Sequence, residues 1–280
     1  MITEKERAAT AAGNHGSPTL DFGRATPYDE YVGTAVLHGL QRTVTDVPEE
    51  RVFLVTTQVM ELYFGLLRAE WRLAQRHLDG DDVTGATATL RRSVCHFEPL
   101  NAAWASLGRL TPQRFNLFRD QLGEASGFQS AMYRHVEFLL GNKSEPLTRP
   151  HRSVPGAYRE LTEALAAPSL YDTALALLAR HGYPVPAAVL ERDLTAAYRP
   201  GAEVEAAWRA VYERGELVEL AETLVDVAGR FAEWKHRHLL AVRRSMGAKP
   251  GSGGSSGLAW LERSLAREVF PELWTARTAM

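Results

Sequence analysis

Apolar positions recur at helical spacing along almost the whole chain. Leu217, Leu220, Leu224, Ala228, Phe231, His238 and Val242 share one stripe of a helix predicted over 217–246. Thr45-Asp46-Val47-Pro48-Glu49-Glu50 supplies a cap residue, a proline for the first turn and then acids, so a second long helix is predicted to run on to Leu78. One of its faces carries Val52, Val55, Val59, Leu62, Leu66 and Leu73, and another carries Phe53, Met60, Phe64, Leu67 and Trp71. Two apolar faces predict burial on both, as in the central helix of a bundle or the wall of a cavity. Further helices are predicted over 28–43, 83–107, 112–122, 128–141, 156–166, 169–181, 202–214 and 257–269, with Pro271 ending the regular part.

Residues 142–155 and 182–200 are polar or proline-bearing and read as loops. No segment alternates with period two between turns, which argues against a sheet. The expected architecture is all-α, one helical bundle over 20–280. Residues 1–19 lack periodicity and read as a disordered tail.

Composition narrows the classes. With 45% hydrophobic and 24% charged residues the chain matches an ordinary globular protein. A formal net charge of -2 gives no basis for a nucleic-acid partner or a membrane surface. The one cysteine, Cys95, forbids an intrachain disulfide, points to a reducing cytoplasm, and reads as a small buried residue. No uninterrupted apolar run approaches the roughly 18 residues of a membrane span. The N-terminus lacks the apolar core of a secretion signal.

Common hydrolytic and nucleotide motifs (GxSxG, HExxH, a Walker loop) are absent. His236 and His238 are two residues apart, so a regular helix points them to different faces and they cannot share a metal. His238 alone faces the apolar stripe. There it is either an axial ligand for haem iron or a core histidine satisfied by one hydrogen bond. Phe115 and Arg119 share a helix face, so Arg119 either forks onto a substrate carboxylate or pairs on the surface with Asp120 or Glu124. Ser126-Gly127 opens the next helix. The string KPGSGGSSG, 249–257, is either a wrap of N–H groups and hydroxyls around a zwitterionic ligand or a flexible linker.

Taken together, these strings resemble the tryptophan 2,3-dioxygenase family. They are RVFLVTTQVMELYF, LTPQRFNLFRDQLGEASGFQSAMYRHVEFLLGNK, YPVPAAVLERD, FAEWKHRHLLAVRRSMGAKPGSGGSSGLAWL and FPELWTAR, collinear over about 20–278. The resemblance implies a helical homotetramer enclosing haem b, with His238 as proximal iron ligand. It places Arg119 on the amino-acid carboxylate and Ser252 on the substrate ammonium and carboxylate. Phe53 and Phe115 would line the indole pocket, with Ser126 and Gly127 on the oxygen side. Tyr28 and Tyr31 would lie in an N-terminal segment completing a neighbouring subunit's site. The implied reaction uses dioxygen to open the indole C2–C3 bond of L-tryptophan, giving N-formylkynurenine.

One position departs from the pattern. The family's distal histidine is replaced by Thr57, in VTTQVMEL. Thr57 is one turn from Phe53 and keeps the same face. It enlarges the pocket at the indole edge and removes a base. That fits a substituted, for example methylated, tryptophan, and leaves open insertion of one oxygen atom to give an oxindole or hydroxyindoline. A non-catalytic haem- or indole-binding protein is the remaining alternative.

Overall fold

A reciprocal cap, with no hydrophobic face behind it, makes the chain's first helix. In α1 (Glu4–Gly13) the Thr3 hydroxyl accepts from the Glu6 N–H, the Glu6 carboxylate accepts from the Thr3 N–H, and no residue is buried. The helix lies inside the stretch read from sequence as a tail. Next come α2 (Pro27–Val32) and α3 (Thr34–Gly39), where the apolar pattern predicts one helix. Gly33 separates them: its φ of +66 is left-handed, and its N–H closes α2 onto the Asp29 carbonyl. The computed structural model describes residues 2–280. By contacts it falls into two units, one ending at Arg42 and one covering Thr43–Met280, so the 19/20 boundary read from sequence lies inside the first.

The second unit contains α4 (Pro48–Asp79), α5 (Val83–Leu107), α6 (Pro112–Asn116), α7 (Ala131–Leu139), α8 (Pro155–Ala166), α9 (Leu170–Arg180) and α10 (Ala187–Leu190). It continues with α11 (Ala202–Arg214), α12 (Val218–Met246), α13 (Leu258–Leu265) and α14 (Pro271–Thr275), and among the described residues no strand occurs. The fold is all-α.

Helix α5 packs against both α4 and α12, and these three long helices carry the core. Leu67, Trp71, Ala74 and Leu78 of α4 are fully buried, as are Leu90, Phe97 and Leu100 of α5 and Leu220 and Leu224 of α12. Polar ties fix the register. Trp71 Nε1 donates to Ser93 Oγ at 3.0 Å, and Asn101 Nδ2 donates to the Arg230 carbonyl at 3.3 Å. At the head of α4 the buried Glu50 carboxylate accepts from the N–H groups of Val44 and Thr45, both at 2.7 Å, and fixes the entering chain.

Several expectations need correction. Only one apolar face of α4 is buried: Val52, Val55, Leu62 and Leu66 are exposed, because no element of this unit covers that side. By length and mean hydropathy α4 would also pass as a membrane span, although its other face is the bundle's core. Cys95 is exposed on α5. The predicted helix over 112–122 stops at Asn116 and resumes as a 3-10 turn, Arg119–Leu122. The loop over 142–155 contains a 3-10 stretch, Glu145–His151. Pro271 starts α14, whose missing N–H falls where no intrahelical bond is due.

Two buried lysines close helix ends. Lys143 Nζ donates to the Leu165 and Ala167 carbonyls at the end of α8, the former at 2.8 Å. Lys235 Nζ donates to the Ser264 and Arg267 carbonyls beyond α13, both at 2.9 Å. Burial lowers both ammonium pKa values to about 8. The second lysine ties the C-terminal end of α13 to α12.

Candidate functional site

The apolar stripe of α12 delivers His238 to the place where α5 and α12 meet. Its ring lies 4.7 Å from the Trp104 ring at 13°, a face-to-face stack, and 5.5 Å from Trp234. Burial lowers its pKa to about 4, so the imidazole is neutral near pH 7 and keeps a free lone pair. Among the described residues neither ring nitrogen makes a hydrogen bond, so His238 is not the singly bonded core histidine of the alternative reading. His236, two residues back, points to solvent.

Trp234 extends the aromatic wall to Tyr133 at 5.0 Å and Phe64 at 5.3 Å. The Arg134 guanidinium lies 4.6 Å over the Tyr133 ring and 5.8 Å from Phe128. Arg134 is 1% exposed; its Nη1 is paired with Glu137, while Nε and Nη2 have no partner. Buried unpaired donors cost about 1–3 kcal/mol each, so a group that satisfies them would be favoured. No cluster of three or more metal-ligating side chains forms among the described residues. An iron held by His238 would therefore have to bring its other ligands with it. A neutral imidazole, aromatic walls and two unsatisfied guanidinium donors fit a haem, with its porphyrin nitrogens and carboxylates.

A second, smaller apolar cluster forms where α4 meets the 111–122 segment. Phe53 lies 5.9 Å from both Phe115 and Phe118, and Phe115 meets Phe118 edge-on at 5.3 Å. Met246, at the end of α12, packs on the same cluster. Thr57 is half-buried one turn after Phe53, and its hydroxyl donates to the Phe53 carbonyl at 2.9 Å. The one hydroxyl proton is thereby spent, and Thr57 offers only oxygen lone pairs and a methyl group.

The Gly/Ser loop is tied to this segment and is not a free linker. Arg119 Nη2 donates to the Pro250 carbonyl at 2.6 Å, Ser252 Oγ donates to the Ala125 carbonyl at 2.7 Å, and Lys249 Nζ donates to Asn116 Oδ1 at 3.1 Å. A Cβ on Gly253 would stand 2.9 Å from Ser126 Cβ, so glycine is what permits this approach. The structure thus gathers Arg119, Ser126 and Ser252, with the exposed Gly127 beside them, and separately groups Phe53, Thr57 and Phe115. Arg119 makes no ion pair with Asp120 or Glu124; its partner is the loop. Tyr28 and Tyr31 belong to the first unit, where they are 68% and 93% exposed. A cleft of about 540 Å³ elsewhere is lined by none of these residues.

Sequence reasoning did not single out Phe118, Trp104, Trp234 or Arg134. Trp104 was open to discovery, since it continues the buried α5 stripe of Phe97 and Leu100 at helical spacing. Arg134 carried no such signal, because its meaning lies in its burial.

Fold and site together define an all-helical protein with one unpartnered histidine in an aromatic chamber and a Gly/Ser loop latched by an arginine. The family model described as tryptophan 2,3-dioxygenase matches residues 13–219 and 211–280. A tryptophan 2,3-dioxygenase of Bradyrhizobium diazoefficiens is 40% identical over 264 residues, 93% of this chain and 95% of the relative. Those of Caulobacter vibrioides (40% identical; 90% of this chain, 98% of the relative) and Paraburkholderia phytofirmans (39%; 93% and 87%) are similar over comparable spans. The chain belongs to the tryptophan 2,3-dioxygenase family.

Proposed function

We propose that the protein is a haem-dependent oxygenase that uses dioxygen to oxidise the indole C2–C3 bond of L-tryptophan or of a substituted tryptophan. The observation that carries this reading is the neutral, unpartnered His238 in its aromatic chamber. Haem b, when bound, would supply the binding and activation of dioxygen. His238 would hold its iron, and the free Nε and Nη2 of Arg134 would meet a carboxylate.

The chain's own residues do the rest. Arg119 uses Nη2 on Pro250, which leaves Nε and Nη1 for the substrate carboxylate. Ser252 sits on the loop bound to Ala125, placed to receive the amino-acid end. Phe53 and Phe115 flank the indole, and the close fit of aromatic faces excludes water from it. Ser126 and Gly127 border the oxygen side. Thr57 acts as an acceptor: its lone pairs can take the indole N–H, but it has no proton to give and is no base near neutral pH.

Insertion of both oxygen atoms gives an N-formylkynurenine-type product. One-atom insertion, giving an oxindole or hydroxyindoline of the kind used in natural-product assembly, is the second reading. Thr57, standing where the family pattern has its distal histidine, keeps this outcome open. The exposed stripe of Val52, Val55, Leu62 and Leu66 supports association of copies into a tetramer, with the Tyr28–Tyr31 segment reaching a neighbour's site. The single cysteine supports a cytoplasmic setting.

The test is spectroscopic. The purified protein should show a haem Soret band that shifts on adding L-tryptophan or a methylated tryptophan, and His238→Ala should lose the haem. A colourless wild type, or a His238→Ala protein that keeps haem and activity, would overturn the reading.

A further inference from the structure

We infer that Trp104 is a positioning residue for His238, fixing by face-to-face stacking the plane in which the imidazole presents its lone pair. The inference rests on His238 being the iron ligand and concerns what holds that ligand still.

A metal-ligating histidine is usually oriented by a hydrogen bond from its second ring nitrogen to a carboxylate or backbone carbonyl. Among the described residues His238 has no such partner. What it has is an indole face at 4.7 Å and 13°, with a second indole, Trp234, tilted at 54° and 5.5 Å. Parallel stacking at this distance is worth about 0.5–1.5 kcal/mol beyond the area it buries. That is comparable to one ordinary hydrogen bond, so the stack can replace the missing orienting partner.

The platform is itself rigid. Trp104 is 8% exposed and meets Trp234 at 5.5 Å, and Trp234 is braced by Tyr133 at 5.0 Å and Phe64 at 5.3 Å. One turn before Trp104, Asn101 Nδ2 ties α5 to the Arg230 carbonyl of α12. The distance between the helix carrying the platform and the helix carrying the ligand is therefore set independently of the stack.

The Trp104 Nε1–H is buried with no acceptor. An indole retained for its hydrogen bond would not be left this way, so the face of the ring is what the site uses. If Trp104 were only core filling, any apolar side chain of similar volume would serve. If it positions His238, a flat ring is required.

The test compares Trp104→Phe with Trp104→Leu in the full-length, haem-loaded protein, with helicity checked by circular dichroism. Should the leucine variant fail to fold, Trp104→Met, unbranched and adaptable, takes its place. The readouts are the ferrous iron–histidine stretching band in resonance Raman and the rate of haem loss to an acceptor protein. The phenylalanine variant should stay close to wild type in both. The aliphatic variant should show a shifted or broadened band and haem loss faster by roughly ten- to a hundredfold, the usual cost of disturbing a ligand's support.

A folded aliphatic variant with the wild-type band and rate would overturn the inference, as would a phenylalanine variant as disturbed as the aliphatic one. A wild type without haem, or a His238→Ala protein with an unchanged iron–histidine band, would overturn the ligand assignment itself.

Discussion

The Gly/Ser loop is tied to the 116–125 segment by three side-chain hydrogen bonds, and their strengths set how often it opens. Arg119 to the Pro250 carbonyl is charge-assisted but half-exposed, so it is placed at the low end of its range, about 1.5 kcal/mol. The neutral bond from Ser252 to the Ala125 carbonyl contributes about 1 kcal/mol. The exposed pair Lys249–Asn116 adds about 0.5 kcal/mol. At 1.4 kcal/mol per tenfold, the three sum to about 3 kcal/mol and favour the latched loop by roughly 150-fold. Arg119→Gln should raise the open population roughly tenfold, and Ser252→Ala roughly fivefold. The assay is amide hydrogen exchange of the 250–256 backbone read by mass spectrometry, with the N–H groups of α5 as an internal reference for global opening. Both variants exchanging at the wild-type rate would refute the latch. Equal acceleration throughout α5 would show a loss of global stability instead.

Burial, with the charge of Arg68 as a lesser cause, holds the His135 pKa near 4, well below its unfolded value near 6.5. As pH falls from about 6.5 to 4, the unfolded chain takes up this proton and the native one does not, so stability falls across that window. His135→Asn should flatten this part of a urea-midpoint-versus-pH profile, and an unchanged slope would contradict the assignment. Leu67→Ala, at a fully buried position on the central helix, should lower unfolding free energy by about 2–5 kcal/mol in denaturant titration, whereas Leu62→Ala, 64% exposed, should change it little in the dissociated chain. Thr57→Val keeps the shape and removes the acceptor, so it should weaken binding of L-tryptophan by roughly fivefold while leaving 1-methyltryptophan, which lacks the indole N–H, unaffected; equal losses for both ligands would exclude the acceptor role. Gly253→Ala should loosen the loop against Ser126, read as faster exchange over the same 250–256 backbone, because its new Cβ has no room at 2.9 Å.

The long helices were written in the apolar spacing. The stripe through Leu220, Leu224 and Phe231 is buried as the spacing requires, and it aims His238 at the site. Periodicity does not say whether an apolar face meets its own chain, and so the Val52–Leu66 face of α4 is exposed where the pattern predicts burial. Nor does it see where a helix breaks. Gly33 splits one helix through a backbone angle, and the segment after Asn116 changes to a 3-10 turn through local bonding. In the site, Arg119 and Ser252 could be named from their strings, but their bonds to Pro250 and Ala125 join residues more than a hundred positions apart. Trp104 and Arg134 acquire meaning only from what surrounds them: a parallel imidazole in one case, an unsatisfied buried guanidinium in the other.

The most direct test is to give the haem-loaded ferrous protein L-tryptophan and a set of methylated tryptophans under isotopically labelled dioxygen, and to weigh the products. Label should enter the indole of at least one of them, and Arg119→Gln should reduce this turnover. Two labelled atoms would mark ring opening, and one would mark the oxindole or hydroxyindoline outcome. Tight binding of these amino acids with no label in any product would contradict the oxygenase assignment and leave a binding protein on the same scaffold.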